Sequence, residues 1–263
     1  MTIGRGPMYR EKYDLTGRIA VITGGAGSIG LASAEALAEC GAKIVIGDIR
    51  DAEGRDAERS LCEAGHAAHF LRVDVTESGE VDGFAQTVVE RHGRADILVT
   101  STGISYTTPG AEISDSEWAE VRGVNLDGVF YANRAFGKVM LEQGAGSIVN
   151  IGSCAGLIAT RPQTHAHYSS AKAAVHMMSR SLAGEWTAKG VRVNALVNAH
   201  IETPMTRADI DDPENYAIWI GNSPMNRVGQ PHEVAACVLF LASDASSLIT
   251  GSLLIADAGY TVW

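Results

Sequence analysis

Cysteine is scarce in this chain, and the few copies stand apart. The 263 residues hold four, Cys40, Cys62, Cys154 and Cys237. They are too scattered for the disulfide framework of a small secreted domain, and none are paired at a metal-ligand spacing. They read as buried thiols in a reducing compartment. The eight histidines show neither His-x-x-x-His nor His-Glu-x-x-His, so no metal site follows from local spacing. No run approaches the roughly 18 consecutive apolar residues that a membrane span needs. The opening segment, Met1 to Lys12, carries Arg5, Arg10, Glu11 and Lys12 without an apolar stretch, unlike a secretory signal, and a cytoplasmic protein is expected. Positive charge is short as well: the formal net charge is −10, which argues against nucleic acid and anionic membranes as partners. Of only seven prolines, Pro204, Pro213 and Pro224 fall between residues 198 and 229, which marks that stretch as irregular.

What the chain has in quantity is glycine and apolar surface. Its 29 glycines and 46% hydrophobic residues suit many tight turns between short strands and helices around a substantial core. Arg18 to Thr23 (RIAVIT) is a β-branched run. It is followed at once by Gly24-Gly25-Ala26-Gly27-Ser28-Ile29-Gly30 and a helical pattern from Leu31 to Cys40. In this strand, turn and helix, Gly25, Gly27 and Gly30 spell G-x-G-x-x-G, whose glycines let backbone approach a pyrophosphate at a helix N-terminus. Lys43 to Asp48 (KIVIGD) is a second strand, and Asp48 lies 18 positions after Gly30. A carboxylate there accepts hydrogen bonds from adenosine ribose hydroxyls and repels a 2′-phosphate, which favours NAD over NADP. Arg50 reads either as a surface charge or as a phosphate partner that would temper this preference.

The alternation continues. Asp51 to Ala64 and Thr76 to His92 are helices, with Ala67 to Val73 and Ala95 to Thr100 as strands. Ser114 to Met140 is one long helix with Asn125 in its middle. Ser147 to Gly152 is the fifth strand, a helix opens near Tyr168 and runs to Ala188, and Val191 to Val197 is the sixth strand. Pro231 to Ser243 is the last helix and Ser252 to Ala256 the last strand. The pattern predicts an α/β fold: a doubly wound Rossmann-type parallel sheet of about seven strands with helices on both faces, and ligands at the carboxyl ends of the strands. One domain over residues 1–263, with a substrate loop at about 198–229, accounts for the whole chain.

Tyr168 and Lys172 sit four residues apart within a helical run, so they share a face. A phenol near pKa ~10 is a poor base at neutral pH, and a nearby cation stabilises its ionised form. The pair is either a proton-exchanging site or an ordinary solvated helix face. Ser153 falls just after the fifth strand, where a doubly wound sheet places chemistry, and a buried Asn125 needs partners. His165, His167 and His200 flank the site as substrate contacts or as loop and core residues. Cys154 reads as pocket wall.

Taken together, Thr23-Gly24-x-x-x-Ser28-Ile29-Gly30, Asp48, Asp74-Val75, Asn125, Ser153, Tyr168-x-x-x-Lys172, Thr250-Gly251 and Asp257-x-Gly259 make the chain resemble the single-domain short-chain dehydrogenases/reductases from about Leu15 onward. Arg161-Pro162-Gln163 and the closing Gly259 to Trp263 resemble the polyol branch. The resemblance implies Tyr168 as general acid/base, with Lys172 on the nicotinamide ribose and, helped by the positive charge of the oxidised nicotinamide, lowering the tyrosine pKa. It implies Ser153 as hydrogen-bond donor to the substrate oxygen and Asn125 as holder of a water that links Lys172 to solvent. It places Gly24, Gly27, Ser28, Ile29, Gly30, Asp48, Ile49, Asp74, Val75, Ser101, Gly103, Tyr168, Lys172, Ile201 and Thr203 around NAD. It also implies a homotetramer, with a small-molecule substrate and no metal in the reaction. The aromatic tail Tyr260 to Trp263 covers either a subunit boundary or its own core, and its terminal carboxylate is a candidate divalent-ion ligand.

Three departures stand out. Thr100-Ser101-Thr102-Gly103 replaces the usual Asn-Asn/Ser-Ala-Gly and removes a strand-bracing amide. Asn198-Ala199 replaces Pro-Gly and loosens a turn where glycine permits positive φ. Asp257-Ala258-Gly259 replaces Asp-Gly-Gly. The leading expectation is an NAD-dependent enzyme interconverting a secondary alcohol, of polyol type, and its ketone. The alternatives are a 3-oxoacyl-carrier-protein reductase, disfavoured by Glu142-Gln143 and the acidic balance, and a catalytically silent cofactor-binding protein.

Overall fold

Residues 8–263 are described in a computed structural model; most of the opening segment read above as lacking a secretory signal lies outside them. Every strand named below belongs to one sheet, whose seven members are all parallel and run in the order β3-β2-β1-β4-β5-β6-β7. They are β1 Ile19–Thr23, β2 Lys43–Asp48, β3 Ala68–Arg72, β4 Ile97–Thr100, β5 Gly146–Ile151, β6 Val191–Asn198 and β7 Leu253–Ala256. The helices are α1 Ser28–Glu39, α2 Asp51–Glu63, α3 Ser78–His92, α4 Asp115–Arg122, α5 Gly128–Gln143, α6 Ala166–Trp186, α7 Arg207–Asp211, α8 Pro213–Asn222 and α9 Pro231–Ala242.

The strands are apolar on both sides because both faces are covered. Ala20, Ile22, Ile44, Ile46, Val99, Val149 and Leu196 pack on one face against Ala34 and Leu37 of α1, Leu61 of α2, and Val234, Val238 and Leu241 of α9. The alternate residues Val21, Val45, Leu98, Ile148 and Val193 meet Phe84 and Val88 of α3, Phe136 and Met140 of α5, and Leu182 of α6 on the other. No described helix is long and apolar enough to cross a membrane.

The order reverses at β1, which pairs with β2 on one side and β4 on the other, with Thr23 opposite both Gly47 and Thr100. The chain therefore leaves β1 and β4 in opposite directions, and the crevice between their exits is where a ligand fits. The expected long helix from Ser114 runs on with one wider turn inside it. Between α4 and α5, residues Gly123–Asp127 form a wider turn in which Gly128 N–H donates to the Gly123 carbonyl. Asn125 is the cause: its Nδ2 takes the Val121 carbonyl at 2.9 Å, a group that an ordinary helix would give to a backbone amide, and such widened turns occur often at functional sites. Between residues 198 and 229, the two short helices α7 and α8 fold over the carboxyl end of the sheet. Asp212 caps α8 by accepting from Glu214 N–H, and Pro213 occupies its first turn.

Candidate active site

The glycine turn packs against the exit of β4. A Cβ on Gly24, at φ +70°, would stand 2.7 Å from Ser101 C and Thr102 N, and one on Gly30 would stand 2.2 Å from the Gly24 carbonyl oxygen. Only glycine fits at either place. Gly27 precedes α1 without a side-chain cap, so the amides of the first helical turn face the crevice unclaimed. The hydroxyls of Thr23 and Thr102 are buried there without a partner. Asp48, 4% exposed, closes the far side, with Oδ2 accepting from Ala26 N–H at 3.2 Å. Arg50 also holds it, by Nε at 3.0 Å and Nη2 at 3.1 Å, so Arg50 is neither a free surface charge nor a remote one. Ile49 is exposed beside them. The Asp74 carboxylate accepts from Thr76 N–H and Oγ1, and Val75 packs against the start of α5. A cleft of about 440 Å³ joins Ser28 to Thr203, with Glu202, Pro204, Arg207, Gln230 and Pro231 on its walls. Ile201 lies buried next to it. A helix N-terminus with free amides, unpaired hydroxyls and a buried carboxylate across the crevice fit a dinucleotide.

Ser153, Tyr168, Lys172 and Asn125 come from three separate elements and meet at the exits of β4 and β5. Ser153 directly follows β5, is 6% exposed, and its Oγ accepts from Ala155 N–H at 3.2 Å. Tyr168 is half-buried as a residue, but its phenol oxygen lies deep. Burial pushes that phenol up to about 12, while the Ser153 hydroxyl beside it works in the other direction. Lys172 is 3% exposed, and its Nζ donates to the Ile151 carbonyl at 2.9 Å and lies 5.7 Å from the centroid of the Tyr168 ring. Burial brings its ammonium down to about 8. Without the nicotinamide's positive charge, desolvation dominates at Tyr168 and raises it. Asn125 clamps the 101–104 segment, with Nδ2 donating to the Ile104 carbonyl at 2.8 Å and Oδ1 accepting from Ile104 N–H at 3.3 Å. A Cβ on Gly103 would meet Asn125 Oδ1 at 2.9 Å and Lys172 Nζ at 3.9 Å, so glycine there lets the amide and the ammonium share one corner.

A family model described as enoyl-(acyl carrier protein) reductase matches residues 24–261. Galactitol 2-dehydrogenase of Rhizobium johnstonii is 43% identical over 258 residues, covering 97% of this chain and 99% of that protein. The chain belongs to the short-chain dehydrogenase/reductase family. The L-tagatose-forming galactitol 2-dehydrogenase of Cereibacter sphaeroides is 42% identical over 255 residues, at 97% and 99% coverage. The crystal structure of a gluconate 5-dehydrogenase from Burkholderia cenocepacia in complex with NADP and tartrate superposes with a TM-score of 0.93 at 34% identity, covering 97% of this chain and 100% of that one. As a short-chain dehydrogenase/reductase, the protein is an oxidoreductase that uses NAD(P).

The departures from the family pattern resolve differently in this short-chain dehydrogenase/reductase. Thr100 does brace the sheet: its hydroxyl donates to Asn150 Oδ1 on β5 at 2.8 Å, and Asn150 is in turn tied to Asn133 and Ser179. Ala199 has no positive φ, so the exchange there strains nothing, whereas Ala258 sits at φ +56°. A left-handed alanine costs about 1–2 kcal/mol, partly offset by the smaller entropy it loses on folding. Ala258→Gly is expected to raise stability by about 0.5–1 kcal/mol, read as an upward shift of the urea midpoint at unchanged slope.

The flanking histidines are not equivalent. His167 is 2% exposed, and its Nε2 meets Glu117 Oε1 at 2.8 Å while its Nδ1 accepts from Tyr168 N–H at 2.9 Å. It holds the start of α6 and has no free nitrogen for substrate. His165 bonds Thr160 at 2.8 Å, with its ring 5.3 Å from that of Tyr168. His200 stacks on Trp219 at 3.9 Å and meets Tyr260 edge-on at 4.8 Å; burial lowers its pKa to about 3. Burial likewise raises the Cys154 thiol to about 12, which leaves it inert at neutral pH and suits a pocket wall. Tyr260 is buried against Cys154 and Val197 within this chain, while Val262 and Trp263 are exposed.

Sequence reasoning passed over the clamp that holds α7 and α8 down. Gln163 donates to Asp209 Oδ1 at 2.8 Å and accepts from Trp219 Nε1 at 3.0 Å. No local spacing announces a clamp between residues that far apart. A larger cleft of about 600 Å³ is lined by Leu157, Ile158, Ser169, Ser170 and Ala173 but by neither Tyr168 nor Lys172.

Proposed function

We propose that the protein is an NAD-dependent dehydrogenase that interconverts a secondary alcohol, a polyol or related hydroxy compound, with its ketone. The observation that carries this reading is the convergence of the Ser153 hydroxyl and the deeply placed Tyr168 phenol, one helical turn from a buried ammonium. The polyol dehydrogenases among its relatives point the same way. Tyr168 passes a proton to or from the substrate oxygen. Ser153 donates a hydrogen bond to that oxygen and stabilises the alkoxide-like charge that develops on it. Lys172 holds a positive charge beside both and presents it to the ribose hydroxyls, and Asn125 keeps the 101–104 segment in place and positions a water on the path from Lys172 to solvent. When bound, NAD accepts the hydride from the carbinol carbon. The first turn of α1, Ser28, Ile201 and Thr203 hold its phosphates and carboxamide, and Asp48 its adenosine ribose. Trp118, Phe130 and Met177, with Ile255 on the edge strand β7, are exposed apolar side chains that a homotetramer would cover.

The test follows nicotinamide absorbance across a panel of polyols and secondary alcohols, with NAD and NADP in parallel. Turnover is expected on at least one polyol, with kcat/KM at least about tenfold higher for NAD because Asp48 repels a 2′-phosphate. Asp48→Ser is expected to erase that preference. One observation favours the opposite cofactor: the guanidinium of Arg50 already lies on Asp48, and NADP preferred by the unaltered enzyme would assign it to the 2′-phosphate. Tight NAD binding with no turnover on any alcohol or ketone would instead mean a silent binding protein.

A further inference from the structure

We infer that His176 is the positioning residue of the catalytic serine: its imidazole is the post around which the loop leaving β5 is wound, and it sets where the Ser153 hydroxyl stands. This rests on the role proposed above for Ser153. His176 lies one helical turn beyond Lys172 and two beyond Tyr168, so all three project from one face of α6. It is 4% exposed, and its Nε2 accepts the Ser153 backbone N–H at 3.3 Å. The loop closes on the ring from both sides. A Cβ on Gly152 would stand 2.4 Å from Nε2, and one on Gly156 would stand 2.7 Å from Cε1. Between these two glycines the serine has its amide fixed by the ring and its hydroxyl fixed by Ala155 N–H.

An acceptor at Nε2 requires the neutral ring with its hydrogen on Nδ1. The surroundings enforce the neutral form. Burial, followed by the charges of Lys172 and Arg180, lowers the imidazole to about 4, against a smaller opposing effect from the Gly156 backbone. Nδ1 itself is buried with no hydrogen-bond partner. A leucine would fill the same space without stranding a polar nitrogen, so what the imidazole adds at this position is the Nε2 acceptor. Hydrogen bonds made only in the transition state lose value steeply when the donor is displaced by a fraction of an ångström to an ångström. A residue that touches no substrate can therefore control the rate.

The test is a double-mutant cycle on the full chain. His176→Leu is expected to lower kcat about 10- to 100-fold with little change in cofactor affinity or Tm, and His176→Gln, whose carbonyl oxygen can take the place of Nε2, to restore most of it. In a Ser153→Ala background, His176→Leu is expected to cost nothing more, because the two residues act as a unit. If His176→Leu does not fold, Gly152→Ala, which presses on Nε2, carries the same expectation. Wild-type kcat in His176→Leu, or losses that multiply in the double variant, overturns the inference while an impaired Ser153→Ala keeps the serine's role. Full activity in Ser153→Ala overturns that role itself.

Discussion

Tyr168→Phe is expected to lower kcat by about 10²- to 10⁴-fold, the usual worth of a positioned acid/base, with cofactor affinity nearly unchanged. The phenyl ring fills the same space beside Lys172, so the loss isolates the proton and not the packing. Because burial holds the phenol up at about 12 in the protein by itself, it is protonated at neutral pH, the form that donates to a ketone. Alcohol oxidation needs the phenolate. Oxidation by the unaltered enzyme is therefore expected to quicken as pH rises through the alkaline range, and Tyr168→Phe to lose that rise. Steady-state rates in both directions from pH 6 to about 10 measure this. A phenylalanine variant that oxidises the best alcohol at the unaltered rate would remove Tyr168 from the chemistry.

Lys172→Met is expected to abolish most activity and yet to stabilise the cofactor-free chain. The ammonium is buried, and its pKa falls from 10.5 to about 8, which means that folding disfavours the charge. Methionine has similar length and carries no charge to desolvate. The Ile151 carbonyl then loses its donor, at a cost of about 1–3 kcal/mol that offsets part of the relief, leaving a net gain of about 1–2 kcal/mol at pH 7. The sign follows from linkage. With the folded pKa depressed, the lysine's contribution is most favourable above 10.5, where both states are neutral, and is lost as pH falls through about 8. The advantage of methionine should therefore be full below about pH 8 and gone above 10.5. Urea titrations of both proteins at pH 7 and at high pH check it, and a methionine variant less stable at pH 7 would show that the charge is stabilised by contacts stronger than the Ile151 bond. The two expectations share one cause: the site keeps a charge and a phenol away from water, at a cost in stability that the chemistry requires.

Much of the fold was legible because its signals are local. Strand β2 from Lys43 to Asp48 needs only its β-branched apolar run, and α2 only its stripe and its acidic first turn. The turn from Gly24 to Gly30 announces itself because glycine is the residue type that permits such backbone approach. The helix expected from Ser114 to Met140 is there, but its wider turn at Asn125 was not legible: the amide that widens the helical ladder is held by Ile104, on a different loop, and no periodicity within the helix reports that. His176 was visible in principle, since it continues the i, i+4 row of Tyr168 and Lys172, but nothing in the row says that the loop after β5 lies against it.

The sequence by itself determined the alternation of strands and helices, the glycine turn with its downstream carboxylate, and the residue types able to exchange a proton, because each depends on neighbours within a few positions. Only the tertiary structure decided the states those groups adopt. Arg50 lies on Asp48, Thr100 braces β5, Ala199 is relaxed while Ala258 is strained, and burial raises the tyrosine in the protein by itself. Desolvation and hydrogen bonding act through space, between segments whose separation along the chain carries no information about their distance.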